Sequence, residues 1–133
     1  MKHVSTFLMF SGENYGKAKE AIELYTSIFE NSKILSIEET QSDDMKNVIK
    51  QASFSIGNQS FMAHDNAYSH QFGFTPSISL FITFTEKPKM TSAFEKLQEG
   101  GIALMPLGNY GFSELFGWVQ DKYGVTWQLN LVE

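Results

Sequence analysis

The feature that most constrains the fold of this chain is an internal repeat of its apolar patterning. The chain begins with a short apolar run rich in strand-forming residues, which predicts a strand. A stretch with the apolar spacing of a helix follows, and further predicted strands come after it. The same order of elements returns in the second half, where Ser77–Ile82 can be laid on Ser5–Phe10. The predicted strands are Val4–Phe10, Lys33–Glu39, Val48–Ile56 and Gln59–His64, and then Ser77–Phe84, Ile102–Leu107, Glu114–Gln120 and Thr126–Val132.

Each half also carries one predicted amphipathic helix. In the first, Ser11 or Asn14 is the expected N-cap and Asn31-Ser32 the expected end; in the second, Pro88 marks the start and Gly100-Gly101 the end. The apolar positions, spaced by three and four residues, are Ala18, Ala21, Ile22, Tyr25, Ile28 and Phe29, and then Met90, Ala93, Phe94 and Leu97.

The repeat predicts an α+β fold of two βαβββ modules whose curved mixed sheets surround a central concavity. We expect one domain over residues 1–133, with a first module at about 1–65, a linker at 66–76 and a second module at about 77–133. The linker is expected because this stretch is rich in Asn, Ser, Gly and His and has no clear period. The concavity is the expected place for a ligand.

Composition excludes several classes of function. The chain contains no cysteine, which removes thiolate catalysis and Cys-ligated zinc. Its net charge is −5 and its basic residues form no cluster, so we expect no nucleic-acid partner. We expect no membrane segment or signal peptide, and therefore a cytoplasmic protein. Twelve phenylalanines in a chain with 19% charged residues also predict a homodimer.

Several segments together resemble the vicinal oxygen chelate superfamily of glyoxalases, bleomycin-resistance proteins and dioxygenases, and within it the PhnB-like branch. That branch is often labelled 3-demethylubiquinone-9 3-methyltransferase-like. The resemblance covers nearly the whole chain, and the ending from Phe116-Gly117-Trp118 to Asn130 is its most specific part. The segments that carry it are Ala21-Ile22-Glu23-Leu24-Tyr25, Phe61-Met62-Ala63-His64-Asp65, Leu97-Gln98-Glu99-Gly100-Gly101 and Asp121-Lys122-Tyr123-Gly124-Val125-Thr126-Trp127-Gln128-Leu129-Asn130.

The resemblance implies where a divalent ion would bind, since glyoxalase-like members use the first and last strands of each module. Those positions fall at Ser5, at Ser77, at Gln128, and near Ser60 with Met62 as the alternative. All are neutral, whereas a divalent ion needs carboxylates or imidazoles, so we expect no metal and no other cofactor. The residue that could supply a metal ligand here is His3, because a short register shift of the first strand would bring it near the position of Ser5.

The pair His64-Asp65 has two possible roles. A histidine oriented by a carboxylate could act as a general base. However, neighbours in a strand point to opposite faces, which favours a solvated His64 and an Asp65 that caps the following loop. We expect the ligand site to be lined by hydroxyl, amide and aromatic side chains, namely Ser5, Phe7, Ser77, Trp118, Gln120, Gln128 and Asn130.

These observations leave three functions open. The first is a PhnB-like protein that binds a small, partly aromatic organic ligand without the family metal. The second is an enzyme of the same superfamily, such as a metal-dependent lyase, isomerase or dioxygenase, or the methyltransferase of the transferred label. Methyl transfer is disfavoured because Gly108-Asn109-Tyr110-Gly111 reads as a turn before a strand and not as a cofactor loop. The third is an interaction protein whose cavity is only structural.

Overall fold

The structure is a computed structural model that describes residues 1–44 and 46–133. These residues form two compact units, Met1–Gly73 and Phe74–Glu133, and each contains one α-helix and one four-stranded sheet. The first unit consists of β1 (Ser5–Phe10), a 3₁₀ turn (Gly12–Asn14), α1 (Ala18–Ile28), β2 (Ser32–Gln41), β3 (Asn47–Ile56) and β4 (Gln59–Asp65). The second consists of β5 (Ser79–Phe84), α2 (Lys87–Gln98), β6 (Ile102–Gly108), β7 (Phe116–Gln120) and β8 (Thr126–Leu131).

The two sheets have the same topology, which confirms the predicted pair of βαβββ modules. The strand order is β1-β4-β3-β2 in the first sheet and β5-β8-β7-β6 in the second. In each sheet the first strand of the unit runs parallel to the last, and the other pairs are antiparallel. No helix among the described residues is long and apolar enough to cross a membrane.

The predicted alignment of the two modules is wrong by two residues. The carbonyl of Phe10 accepts a bond from the residue after β4, and the carbonyl of Phe84 accepts the corresponding bond from the residue after β8, both at 2.8 Å. These equivalent bonds make Ser79 the counterpart of Ser5, an offset of 79 − 5 = 74 residues instead of 77 − 5 = 72. Ser77 lies exposed in the turn before β5, where its hydroxyl is 3.2 Å from Oγ1 of Thr75.

The N-terminus of α1 is capped by a residue that is distant in sequence. Neither Ser11 nor Asn14 takes the N-cap position, which is occupied by Lys17 without a side-chain cap. Instead, Oδ1 of Asp65 accepts hydrogen bonds from the backbone N–H groups of Gly16 (2.9 Å) and Ala18 (3.1 Å). A carboxylate at this end of a helix also interacts favourably with the helix dipole.

The core of the first unit lies between α1 and one face of its sheet. The helix buries Ala18, Ala21, Ile22 and Tyr25, as its apolar spacing predicts. On the sheet, the rings of Phe54 and Phe61 are cross-strand partners and stack with their centroids 4.9 Å apart. Because strand side chains alternate, the residues between these buried positions point to the other face of the sheet.

In the second unit α2 packs against its sheet, and Gly117 makes the close approach possible. A Cβ atom at Gly117 would lie 2.6 Å from Cε2 of Phe94 on α2 and 2.9 Å from Cδ2 of Leu107. The helix buries Met90, Ala93, Phe94 and Leu97, all four predicted from their spacing. Gly117 therefore identifies the face of β7 that meets α2, and its strand neighbours point away from the helix.

A buried carboxylate orders the turn between β7 and β8. Oδ1 of Asp121 accepts backbone hydrogen bonds from Tyr123 (2.9 Å) and Val125 (3.1 Å), and Oδ2 accepts one from Nε1 of Trp127 at 3.0 Å. Both Asp121 and Trp127 are almost completely shielded from solvent. A single side chain thus accepts three hydrogen bonds within the motif that carries the family resemblance.

Candidate functional site

The second sheet presents a neutral polar face on the side away from α2, which we call the amide face. Cross-strand register places Trp118 opposite Gln128 and Phe116 opposite Asn130, and it places Phe81 beside Gln128 on the other flank. None of the residues that form this face carries a formal charge. They are Ser79, Phe81 and Thr83 on β5, Phe116, Trp118 and Gln120 on β7, and Thr126, Gln128 and Asn130 on β8.

One amide of this face is fully oriented by a hydroxyl. Nε2 of Gln128 donates a hydrogen bond of 2.7 Å to Oγ of Ser79 on the neighbouring parallel strand. This bond fixes which end of the amide points toward β5. The first sheet has a similar contact between its two parallel strands. There Oγ of Ser5 on β1 and Oγ of Ser60 on β4 are also 2.7 Å apart.

Two polar atoms of the amide face are buried and have no hydrogen-bond partner among the described residues. They are Nε1 of Trp118 and Oδ1 of Asn130, whereas the residues that bear them remain partly exposed. An unpaired buried donor or acceptor costs about 1–3 kcal/mol, so such atoms are rare in native proteins. The indole nitrogen can only donate a hydrogen bond and the amide oxygen can only accept one, so the face offers one donor and one acceptor.

Aromatic rings border the amide face. The ring of Phe116 is buried and lies 4.9 Å from the centroid of Phe112, 6.1 Å from that of Tyr110 and 6.4 Å from that of Phe81. Phe81 and Phe112 are themselves 56% and 67% exposed. A flat apolar molecule could stack on these two rings without displacing the core.

The predicted site residues fall into two groups. Trp118, Gln120, Gln128 and Asn130 all lie on the amide face of the second sheet, whereas Ser5 and Phe7 lie on the face of the first sheet opposite α1. Ser77 belongs to neither face, because it precedes the strand.

The residues that sequence reasoning missed are Ser79 and Phe81. A signal for them exists in the sequence, since Ser-x-Phe-x-x-Phe occurs both at Ser5–Phe10 and at Ser79–Phe84. The alternating pattern of Ser77–Phe84 hid this signal, because a shift of two residues leaves every side chain on the same face.

The face of the first sheet that carries Ser5 also carries His64. The ring of His64 is half-buried and meets the ring of Phe7 edge to face, with centroids 5.0 Å apart. Asp65 points to the opposite face, where it caps α1 and also accepts a 2.8 Å bond from the backbone N–H of Ile49. The expectation that Asp65 caps the following loop is therefore wrong, and its carboxylate does not serve His64 as a general-base partner.

The donor set at the positions implied for a divalent ion does not fit such an ion. With the corrected offset these positions hold Ser5, Met62, Ser79 and Gln128, since Met62 and Gln128 occupy the same place in their sheets. Two hydroxyls, a thioether and an amide supply no negative charge, which a dehydrated divalent cation requires. His3 lies exposed before β1, and the described residues contain no group of three or more His, Asp or Glu that could hold a metal.

Comparison with known proteins identifies the family. The family model described as 3-demethylubiquinone-9 3-methyltransferase matches residues 2–130. A PhnB protein from Bacillus cereus, whose name carries the same methyltransferase label, is 42% identical and has a TM-score of 0.90. The match covers 98% of this chain and 100% of that one. None of the curated protein sequences matches this chain.

More distant structures share the fold. A protein from Pseudomonas aeruginosa is 24% identical with a TM-score of 0.81, and the match covers 98% of both chains. A glyoxylase/bleomycin resistance protein/dioxygenase domain from Frankia is 14% identical with a TM-score of 0.64, covering 100% of this chain and 99% of that one. With its paired βαβββ units and a family match over nearly its whole length, the chain belongs to the 3-demethylubiquinone-9 3-methyltransferase family, the PhnB-like branch of the vicinal oxygen chelate proteins.

Proposed function

We propose that this protein binds a small, neutral, partly aromatic organic molecule on the amide face of its second sheet, without the metal of the wider superfamily. The observation that carries the proposal is the composition of that face. Amide and hydroxyl groups lie between aromatic rings, two of which are more than half exposed. Binding sites for small organic molecules combine apolar and aromatic walls with a few polar groups in this way.

Charge supports a neutral ligand. The chain contains no arginine, the residue that binds carboxylates and phosphates with paired hydrogen bonds. The four lysines of the second unit are Lys87, Lys89 and Lys96 on α2, which covers the opposite face of the sheet, and Lys122 in the turn before β8. A net charge of −5 would also repel an anion.

Binding is a better reading of the amide face than catalysis. Its side chains are hydroxyls, amides and aromatic rings, and none of them titrates near neutral pH, so the face offers no general acid or base. The methyltransferase label gains no support from Gly108-Asn109-Tyr110-Gly111, because Oδ1 of Asn109 accepts the N–H of Gly111 at 2.9 Å in a local turn. A metal-dependent lyase, isomerase or dioxygenase would need ligands that the neutral positions do not supply.

The proposal can be tested with small aromatic probes and a matched pair of variants. We expect naphthalene and 2-quinolone to shift amide resonances of β5, β7 and β8 in two-dimensional NMR spectra. The variant Phe81→Ser should weaken both probes, whereas Phe72→Ser, which removes a similarly exposed ring from the first unit, should leave them unchanged. If neither probe binds, or if wild type and Phe81→Ser bind equally well, the proposal is contradicted.

The metal-free part of the proposal has its own test. Protein purified without chelator should contain no stoichiometric divalent metal by elemental analysis. Stoichiometric Zn, Ni, Mn or Fe that disappears in Gln128→Ala would contradict it and would favour the enzyme reading.

The protein is also proposed to form a homodimer. Apolar side chains are exposed at several strand positions, among them Ile102 (56%) and Leu35 (54%). Sedimentation at micromolar concentration should give a species of twice 15.1 kDa. A species of monomer mass alone would contradict the proposal.

A further inference from the structure

We infer that the ligand of the amide face presents a cis amide edge, an N–H next to a C=O within a flat ring, as in a lactam or a cyclic imide. This inference rests on the proposed function and specifies the chemical class of its ligand. It starts from the two buried atoms of the face that have no partner, Nε1 of Trp118 and Oδ1 of Asn130.

The two unpaired atoms define what the ligand must bring. The indole N–H of Trp118 requires an acceptor, and Oδ1 of Asn130 requires a donor. A molecule with acceptors alone, such as a quinone or an ether, would satisfy only Trp118. A carboxylate would bring charge and no donor, and it would place its negative charge against the oxygen of Asn130.

The spacing of the two residues favours a donor and an acceptor that are close together. Trp118 lies opposite Gln128, and Asn130 follows Gln128 by two residues on the same face, so Trp118 and Asn130 are diagonal neighbours across β7 and β8. Such neighbours are about 7–8 Å apart between backbones, a separation within reach of an aromatic side chain such as that of Trp118. An N–H and a C=O on adjacent ring atoms match this arrangement.

The side-chain amide of Gln128 already makes a hydrogen bond within the protein. Gln128 lies between the two unpaired residues, but its Nε2 donates to Ser79. The buried polar atoms of the face that still lack a partner are therefore those of Trp118 and Asn130. Each of these residues is partly exposed, and the rings of Phe81 and Phe112 are open to solvent beside them.

The shape of the ligand follows from the bordering rings. Phe81 and Phe116 lie 6.4 Å apart with a 36° angle between their planes, and both belong to the amide face. A flat, conjugated ring that carries the amide edge would stack on the more exposed of them, Phe81. The inferred class is thus a neutral planar lactam or cyclic imide, fused to or conjugated with an aromatic ring.

Four probes of nearly the same shape separate this inference from the proposed function. They are 2-quinolone, which has both the donor and the acceptor, N-methyl-2-quinolone, which lacks the donor, quinoline, which lacks the amide, and naphthalene, which has no polar atom. We expect 2-quinolone to bind at least about tenfold more tightly than the other three, because one additional buried hydrogen bond is worth about that factor. Titrations followed by NMR or calorimetry give the four dissociation constants.

The variants Trp118→Phe and Asn130→Leu assign the effect to the two atoms. Each should weaken 2-quinolone about tenfold, and Asn130→Leu should also abolish the preference for 2-quinolone over its N-methyl derivative. The control Asn58→Leu removes an exposed amide from the first unit and should change nothing. Thermal melting of each variant verifies that it is folded.

Every outcome distinguishes the two claims. Equal binding of all four probes, with sensitivity to Phe81→Ser retained, would overturn the amide inference and leave the proposed function standing. A preference for 2-quinolone that survives Asn130→Leu would also overturn the inference. Failure of all four probes to bind would contradict the proposed function, and the inference would fall with it.

Discussion

Nε1 of Trp127 donates a hydrogen bond of 3.0 Å to Oδ2 of Asp121, and both side chains are buried. The other carboxylate oxygen accepts the N–H groups of Tyr123 and Val125, so three donors converge on one side chain. The turn that leads into β8 therefore uses both carboxylate oxygens of Asp121 as hydrogen-bond acceptors.

The variant Asp121→Asn should be strongly destabilised. An asparagine has only one acceptor oxygen, and its NH₂ group would face at least one of the three N–H donors. We expect the free energy of unfolding to fall by roughly 2–4 kcal/mol, measured by urea denaturation. The control Asp43→Asn replaces an exposed carboxylate and should change stability little. Equal stability of the two variants would show that the buried carboxylate is dispensable.

The variant Asp65→Asn tests the cap of α1. Oδ1 serves Gly16 and Ala18 at the helix start, and Oδ2 serves Ile49 on β3. An asparagine can keep the helix cap or the bond to β3, but not both, so we expect a loss of roughly 1–2 kcal/mol. Amide hydrogen exchange should accelerate at the N–H groups that lose their acceptor, either those of Gly16 and Ala18 or that of Ile49. Unchanged exchange there would contradict the assigned role.

The close contact of α2 with β7 predicts the effect of Gly117→Ala. The added methyl group would collide with the ring of Phe94 and the side chain of Leu107, and relieving this overlap should cost about 1–3 kcal/mol. Gly73→Ala is a matched control, because nothing lies within 4 Å of a Cβ at that position. A melting temperature that is the same for both variants would be inconsistent with the packing described.

The unpaired oxygen of Asn130 predicts an unusual response to mutation in the absence of ligand. Asn130→Leu removes an unsatisfied buried acceptor, so we expect stability to stay equal or to rise by up to about 1 kcal/mol. Gln128→Leu is the matched variant on the same strand, and it should lose about 1 kcal/mol because Ser79 loses its partner. The reverse order in denaturant titrations would show that Asn130 is satisfied.

The sequence predicts the fold well because its two halves agree with each other. The spacing of Met90, Ala93, Phe94 and Leu97 identifies the buried face of α2, and alternation places Trp118, Gln128 and Asn130 on one face of the second sheet. These signals are local, since each depends only on the period of a helix or a strand.

Three features of the structure were not predicted from the alternation and spacing of residues. The two-residue error at Ser77 arose because a shift by two keeps the faces of a strand unchanged, so alternation alone does not reveal where β5 begins, whereas the pairing with β8 does. The cap of α1 was sought at Ser11 or Asn14, next to the helix, but it comes from the end of β4. Which polar atoms lack partners, as at Trp118, also depends on contacts that no local pattern contains.

The position of Asp65 has a consequence for how the first unit assembles. Its carboxylate lies 47 residues along the chain from Ala18, so α1 has no capped N-terminus until β4 has joined the sheet. Helix formation and strand pairing should therefore be cooperative, with the amides of Gly16, Ala18 and Ile49 opening in one event and not independently. An isolated peptide that spans α1 would fray at its first turn, even though its apolar spacing is ideal.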